Sequence, residues 1–95
     1  MILVAARIKL RAGMLPTFRS VIQEETKILE KYGMKLLGSY AVEVGPLNEV
    51  LDLWEAPDYD SLRAAGADPD LVRADAKLAN AIEWEKLEIL TKLEI

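Results

Sequence analysis

Asp52 stands two residues before Trp54 in the run Glu49-Val50-Leu51-Asp52-Leu53-Trp54-Glu55, so in an extended chain the two side chains share one face. A carboxylate held beside a large aromatic inside a closed space loses water, its proton affinity rises, and it can serve as a general acid or base. Trp54 would then offer a surface on which a flat ligand stacks. Both residues also have a plainer reading. Asp52 can pair with Arg7, Lys9 or Lys35 from a neighbouring strand or subunit, and Trp54 can be core packing. Ser39 and Glu43 belong to the same set of positions on the preceding extended run, with Glu43 near the turn and so at the rim. Tyr59 precedes a helix, where its phenol can donate to a ligand at a cavity mouth or pack over the loop.

What the chain lacks narrows the chemistry further. It contains no histidine and no cysteine. Imidazole bases, Ser-His and Cys-His nucleophiles, Cys-ligated zinc, iron–sulfur clusters and disulfides are therefore outside its reach. Twelve Lys plus Arg stand against sixteen Asp plus Glu, a formal net charge of −4. An acidic chain without a basic cluster suits neither a phosphate backbone nor an anionic lipid surface, so no nucleic acid and no membrane partner is expected. The acidic residues Asp58, Asp60, Asp68, Asp70 and Asp75 lack the spacing and terminal Glu of a calcium loop, and helix capping accounts for most of them. No metal site is expected. No phosphate-cradling glycine motif or nucleophile elbow occurs, and no cofactor is expected. The start Met1–Ala6 has no basic leader, which with the absence of cysteine points to a cytoplasmic protein.

The elements that must position these residues follow from periodicity. With 52% apolar and 29% charged side chains over 95 residues, residues 1–95 are expected to form one domain. Ile2, Val4, Ala6, Ile8 and Leu10 alternate with a set ending in Arg7 and Lys9, which predicts a strand. Arg11-Ala12-Gly13 turns the chain. Leu15, Phe18, Ile22, Leu29 and Tyr32 then recur at helical spacing behind Pro16, with Gly33 as the stop and Glu24, Glu25, Lys27, Glu30 and Lys31 as the charged outer side. Residues 34–44 and 49–55 flank Gly45-Pro46-Leu47-Asn48 and predict a hairpin. Asp58 to Ser61 caps a helix from about Leu62, broken at Gly66-Ala67-Asp68-Pro69 and resumed from Asp70 to about Ile82. Residues 85–95 keep a period of two through Leu87, Ile89, Leu93 and Ile95 and predict a last strand, with Trp84 anchoring the helical region before it. The order strand, helix, strand, strand, helix, strand is that of an α+β, ferredoxin-like βαββαβ sandwich with a four-stranded antiparallel sheet.

The hairpin has two faces. If Val44 opposes Glu49, Leu51 and Leu53 share a face with Val42 and Tyr40, which is apolar enough to lie under the helices. Glu43, Ala41, Ser39, Val50, Asp52 and Trp54 then look the other way. A Trp and two carboxylates on one uncovered face suit a half-open cavity between two copies, in an interface of the roughly 1,200 to 2,000 Å² typical of stable pairs. A homodimer is expected. The first strand admits two arrangements: with its even positions under the helices Leu3, Ala5 and Arg7 line the cavity, and otherwise Val4, Ala6 and Ile8 do. The first is preferred, and it lets Arg7 meet Asp52 as an orienting pair for an anionic or carbonyl-bearing ligand.

Three stretches together resemble the NIPSNAP-type family: residues 9–18, Lys-Leu-Arg-Ala-Gly-Met-Leu-Pro-Thr-Phe; residues 43–50, Glu-Val-Gly-Pro-Leu-Asn-Glu-Val; and the pair Leu53-Trp54. Residues 58–63 and 67–70 are similar to the same family's second helical region. The first strand also resembles the antibiotic-biosynthesis monooxygenases of the same superfamily. This resemblance implies a dimeric α+β barrel, two ferredoxin-like subunits joined sheet to sheet. It also implies a small apolar or aromatic ligand in the barrel cavity, handled by cofactor-independent monooxygenase or isomerase chemistry. Asp52 stands where the family often has a His. The competing expectation is a non-catalytic dimerising interaction module with a cavity filled by side chains.

Overall fold

Strict alternation makes Ile2–Leu10 a strand, β1, whose even positions Val4, Ala6, Ile8 and Leu10 are all buried in the computed structural model, which describes all 95 residues. Gly13, at φ 82, allows the tight turn that follows, and Pro16 opens helix α1, Leu15–Glu30. That helix stops where Gly33 takes φ 76 and Met34 N–H closes back on the Leu29 carbonyl at 3.2 Å. A Cβ at position 33 would also meet Pro57 Cγ at 2.8 Å, so glycine is required there twice over.

Strands β2, Lys35–Ala41, and β3, Glu49–Ala56, form the hairpin, followed by the short helices α2, Tyr59–Gly66, and α3, Pro69–Ala76, and strand β4, Ile82–Leu90. Asp58 accepts from Ser61 N–H to cap α2, and Asp68 accepts from the N–H groups of Asp70 and Leu71 to cap α3. The sheet is fully antiparallel in the order β2-β3-β1-β4. All helices lie on one face, giving a slab 17 Å thick in its shortest dimension. This is the expected ferredoxin-like α+β fold. No helix is long and apolar enough to cross a membrane.

Three sequence expectations are corrected in detail. The last helical segment ends at Ala76 and β4 begins at Ile82, so the strand covers residues 82–90 and residues 91–95 have no regular structure. Trp84 does not anchor the helices: it lies opposite Lys9 on the uncovered face, 38% exposed, with Lys86 Nζ 5.2 Å from its ring centre. The hairpin register is two residues away from the expected one. Ser39 opposes Asp52 because the loop occupies residues 42–48 and not four residues alone, and an irregularity between Leu36 and Gly38 shifts the pairing by one further residue, so that Leu36 opposes Trp54.

The faces of the hairpin are also the reverse of those expected. Val50, Asp52, Trp54 and Ala56 are 5%, 1%, 6% and 0% exposed and lie under the helices, while Leu51 and Leu53 look away. The reason lies in β1. Val4 opposes Trp54 and Ala6 opposes Asp52, and directly opposed residues of an antiparallel pair share a face. Once the even residues of β1 go under the helices, as expected, the even residues of β3 must go with them.

Candidate functional site

Helix α1 sends Phe18, Ile22, Glu25 and Leu29 down one stripe towards the sheet, and α3 sends Leu71 and Asp75 down another, continued by Leu78 in the turn after it. Between these stripes and the floor made by Val4, Ala6, Ile8, Asp52 and Trp54 lies a pocket of about 260 Å³. Leu62 and Ala65 of α2 close one end. Glu85 and Leu87 of β4 form the open side, since the helices leave this edge strand largely bare and Leu87 is 65% exposed. The walls are mostly apolar, and none of the lining residues carries a positive charge.

Four carboxyls converge on this space: Asp52 from the floor, Glu25 from α1, Asp75 from α3 and Glu85 from β4. Asp52 is buried with its Oδ1 accepting from the Ser39 hydroxyl, while its Oδ2 is buried with no partner. Burial pushes the Asp52 carboxyl above the usual range, and the Ser39 hydrogen bond only partly offsets it. Glu25 is pushed from its ordinary 4.5 up to about 9, first by burial and then by the hydrogen bond with Asp75 and repulsion from Asp75, Glu85 and Asp52. Glu85 is raised as well, by burial and by the charges of Asp75 and Asp52. The site is thus an apolar pocket with acids of raised proton affinity in its wall and floor.

Of the residues singled out from sequence, Asp52, Trp54 and Ser39 come together. Trp54 packs with Val4, Leu29 and Met34 and also lines the pocket, so its core and site readings coexist. Arg7 does not meet Asp52. It points to the uncovered face, where its Nε lies 2.9 Å from Glu88 Oε1. Glu43 is exposed in residues 42–48, away from the pocket. Tyr59 begins α2, 58% exposed and outside the pocket lining. The site also lies between sheet and helices of one chain, whereas sequence reasoning expected it between two sheets.

Glu25, Asp75 and Glu85 were missed, although each left a signal. Glu25 had been counted among the charged outer residues of α1, yet it sits at the vacant place in the stripe Phe18, Ile22, Leu29, three residues after Ile22 and four before Leu29. Asp75 falls four residues after Leu71 and three before Leu78. Glu85 keeps the period of two with Leu87 and Ile89. In each case an acid occupies a position that periodicity reserves for an apolar residue.

The comparisons with known proteins bear on the family and the fold. The model of the NIPSNAP family matches residues 6–95. Among solved structures, protein Atu4242 of Agrobacterium tumefaciens is 23% identical with a TM-score of 0.81, over 98% of this chain and 94% of that one. An uncharacterized NIPSNAP domain protein of Burkholderia xenovorans is 24% identical with a TM-score of 0.81, over 98% and 95%. An antibiotic biosynthesis monooxygenase is 12% identical with a TM-score of 0.79, over 99% and 100%. At these identities the solved structures establish a shared fold. No curated protein matches the chain.

Proposed function

We propose that this chain, which belongs to the NIPSNAP family, binds a small apolar or aromatic molecule in the pocket between its sheet and helices and moves a proton on it through Asp52. The observation that carries this reading is the Asp52 carboxyl itself: 1% exposed, held at one oxygen by Ser39, its other oxygen without a partner, in the floor of an apolar pocket beside Trp54. A buried acceptor left unpaired costs about 1–3 kcal/mol, and a site keeps such a group where a ligand supplies the missing partner. Trp54 would hold the flat part of the ligand and Ser39 would orient the carboxyl.

The chemistry follows from a carboxyl whose proton affinity is raised. Asp52 takes a proton from a carbon next to a ligand carbonyl and returns it at another position, which is an isomerisation needing no cofactor. The same proton abstraction leaves an electron-rich carbon that dissolved dioxygen can oxidise, the CH2 becoming C=O with one oxygen atom retained and the other released as water, and the fold shared with an antibiotic biosynthesis monooxygenase is in keeping with that second outcome. Hydrogen–deuterium exchange next to the carbonyl of a set of aryl ketones, followed by NMR in heavy water, tests the proposal. Wild type should accelerate exchange of at least one ketone, and Asp52→Asn should lose about 100-fold or more of that acceleration. Exchange no faster than in buffer, or an unchanged rate in Asp52→Asn, overturns it.

A homodimer through the uncovered sheet face belongs to the same proposal. Leu3, Ala5, Leu51, Leu53 and Leu90 lie on that face, with Tyr40, 55% exposed, at its edge. Native mass spectrometry should find twice the chain mass, and a monomer would remove this part. A dimer in which Asp52→Asn changes no rate would favour the non-catalytic interaction module.

A further inference from the structure

The acids of the pocket carry a second conclusion, which rests on the reading that the pocket binds a ligand. Asp52, Glu25, Asp75 and Glu85 face one space from four different elements, and no Lys or Arg lines it. The nearby cations of the helices are engaged elsewhere. Lys77 Nζ is 2.8 Å from Glu24 on the outside of the helix layer, and Arg73 and Lys31 pair with Asp70. Repulsion among the four acids is therefore unrelieved by any cationic side chain. Asp52 Oδ2, unpartnered in a residue only 1% exposed, is an acceptor with no donor.

We infer that the ligand of this pocket is a small hydrophobic amine, bound as its ammonium ion, with its apolar body against Trp54, Phe18 and Leu29 and its charged end on Asp52 Oδ2, in the field of the Glu25 and Asp75 carboxyls. An ammonium group brings three N–H donors and one positive charge. It supplies the partner that Asp52 Oδ2 lacks and brings a positive charge into a pocket lined by four acids and no cation. A bare metal ion does not fit, because no three of these carboxyls are arranged to hold one. An alcohol supplies a single donor and leaves the repulsion in place, and a carboxylate adds to it. The apolar wall excludes a hydrophilic polyamine, for which a solvated acidic surface would be enough.

Three probes with the same ring separate these cases: 2-phenylethylamine, 2-phenylethanol and phenylacetate, each titrated calorimetrically into the whole protein near neutral pH. The amine should bind at least tenfold more tightly than the alcohol, and phenylacetate should not bind. Glu25→Gln and Asp52→Asn, checked for folding by circular dichroism, should each weaken the amine about tenfold and leave the alcohol unchanged. Equal affinity for amine and alcohol, or amine binding untouched by both substitutions, overturns the amine inference and leaves the apolar pocket standing. Failure of all three probes to bind overturns both.

Discussion

The two faces of this sheet carry charge in opposite ways. On the uncovered face Arg7 meets Glu88, Lys86 lies over Trp84, and Lys9 donates to the Leu47 carbonyl, so each cation is matched by an acceptor or an aromatic ring and all remain in reach of water. On the covered face Asp52 and Glu25 are buried, with Asp75 and Glu85 nearby, and no cation balances them. Charges left in solvent cost little and their pairing contributes little. Charges under the helices cost a great deal unless they are protonated or partnered. The difference teaches that the open face is built for solubility and contact, whereas the covered face gives up stability to hold acids in an apolar space. Such local conflict is what a binding or catalytic site looks like in an otherwise consistent fold.

The contrast can be broken or sharpened by substitution. The largest effect should come from Trp54→Ala, which empties the floor of the pocket where Trp54 packs on Val4, Leu29 and Met34. A loss of about 3–5 kcal/mol in denaturant unfolding is expected. A loss below about 1 kcal/mol would mean that Trp54 is not part of the core.

Glu25→Gln should act in the opposite direction. In the unfolded chain Glu25 titrates near its ordinary 4.5, and in the folded protein near 9. Between those values the folded state holds more protons, so wild-type stability falls as pH rises across that window. Asp52 and Glu85, also raised, add to the same slope. Glutamine has no proton to lose. The variant should therefore be more stable by about 1–3 kcal/mol near pH 7, with an advantage that grows towards pH 9 and vanishes below about pH 4.5. Thermal melts across pH check this, and a variant less stable than wild type at high pH would contradict the burial of the Glu25 carboxyl.

The smallest effect belongs to the open face. Arg7 and Glu88 are 56% and 48% exposed at their side chains. At concentrations low enough to hold the chain as a monomer, a double-mutant cycle with Arg7→Ala and Glu88→Ala should return a coupling below about 1 kcal/mol, fading with salt. A larger coupling would indicate that the pair is desolvated, as it would be inside a dimer interface.

Much of the architecture was readable because it depends on local pattern. The alternation of β1 from Ile2 to Leu10, the stop at Gly33 and the caps at Asp58 and Asp68 each follow from one residue's geometry or hydrogen-bonding capacity. The hairpin faces were not readable from the hairpin alone. Val42, Leu51 and Leu53 are as apolar as Val50 and Trp54, and a loop longer than the four turn residues moved the register by two residues. Asp52 and Trp54 were found from sequence but placed on the wrong face, because a carboxylate argues for solvent and only β1 pairing overrules it.

By itself the amino-acid sequence determined the order and type of the elements, the absence of thiol and imidazole chemistry, and the fact that Asp52 shares a face with Trp54. Only the tertiary structure decided which face that is, and that Glu25, Asp75 and Glu85 meet Asp52 there. The physical reason is that periodicity reports which residues share a side of one element. Which side is buried is decided by the elements packed against it, and four acids drawn from two helices and two strands become neighbours only when those elements close on one another.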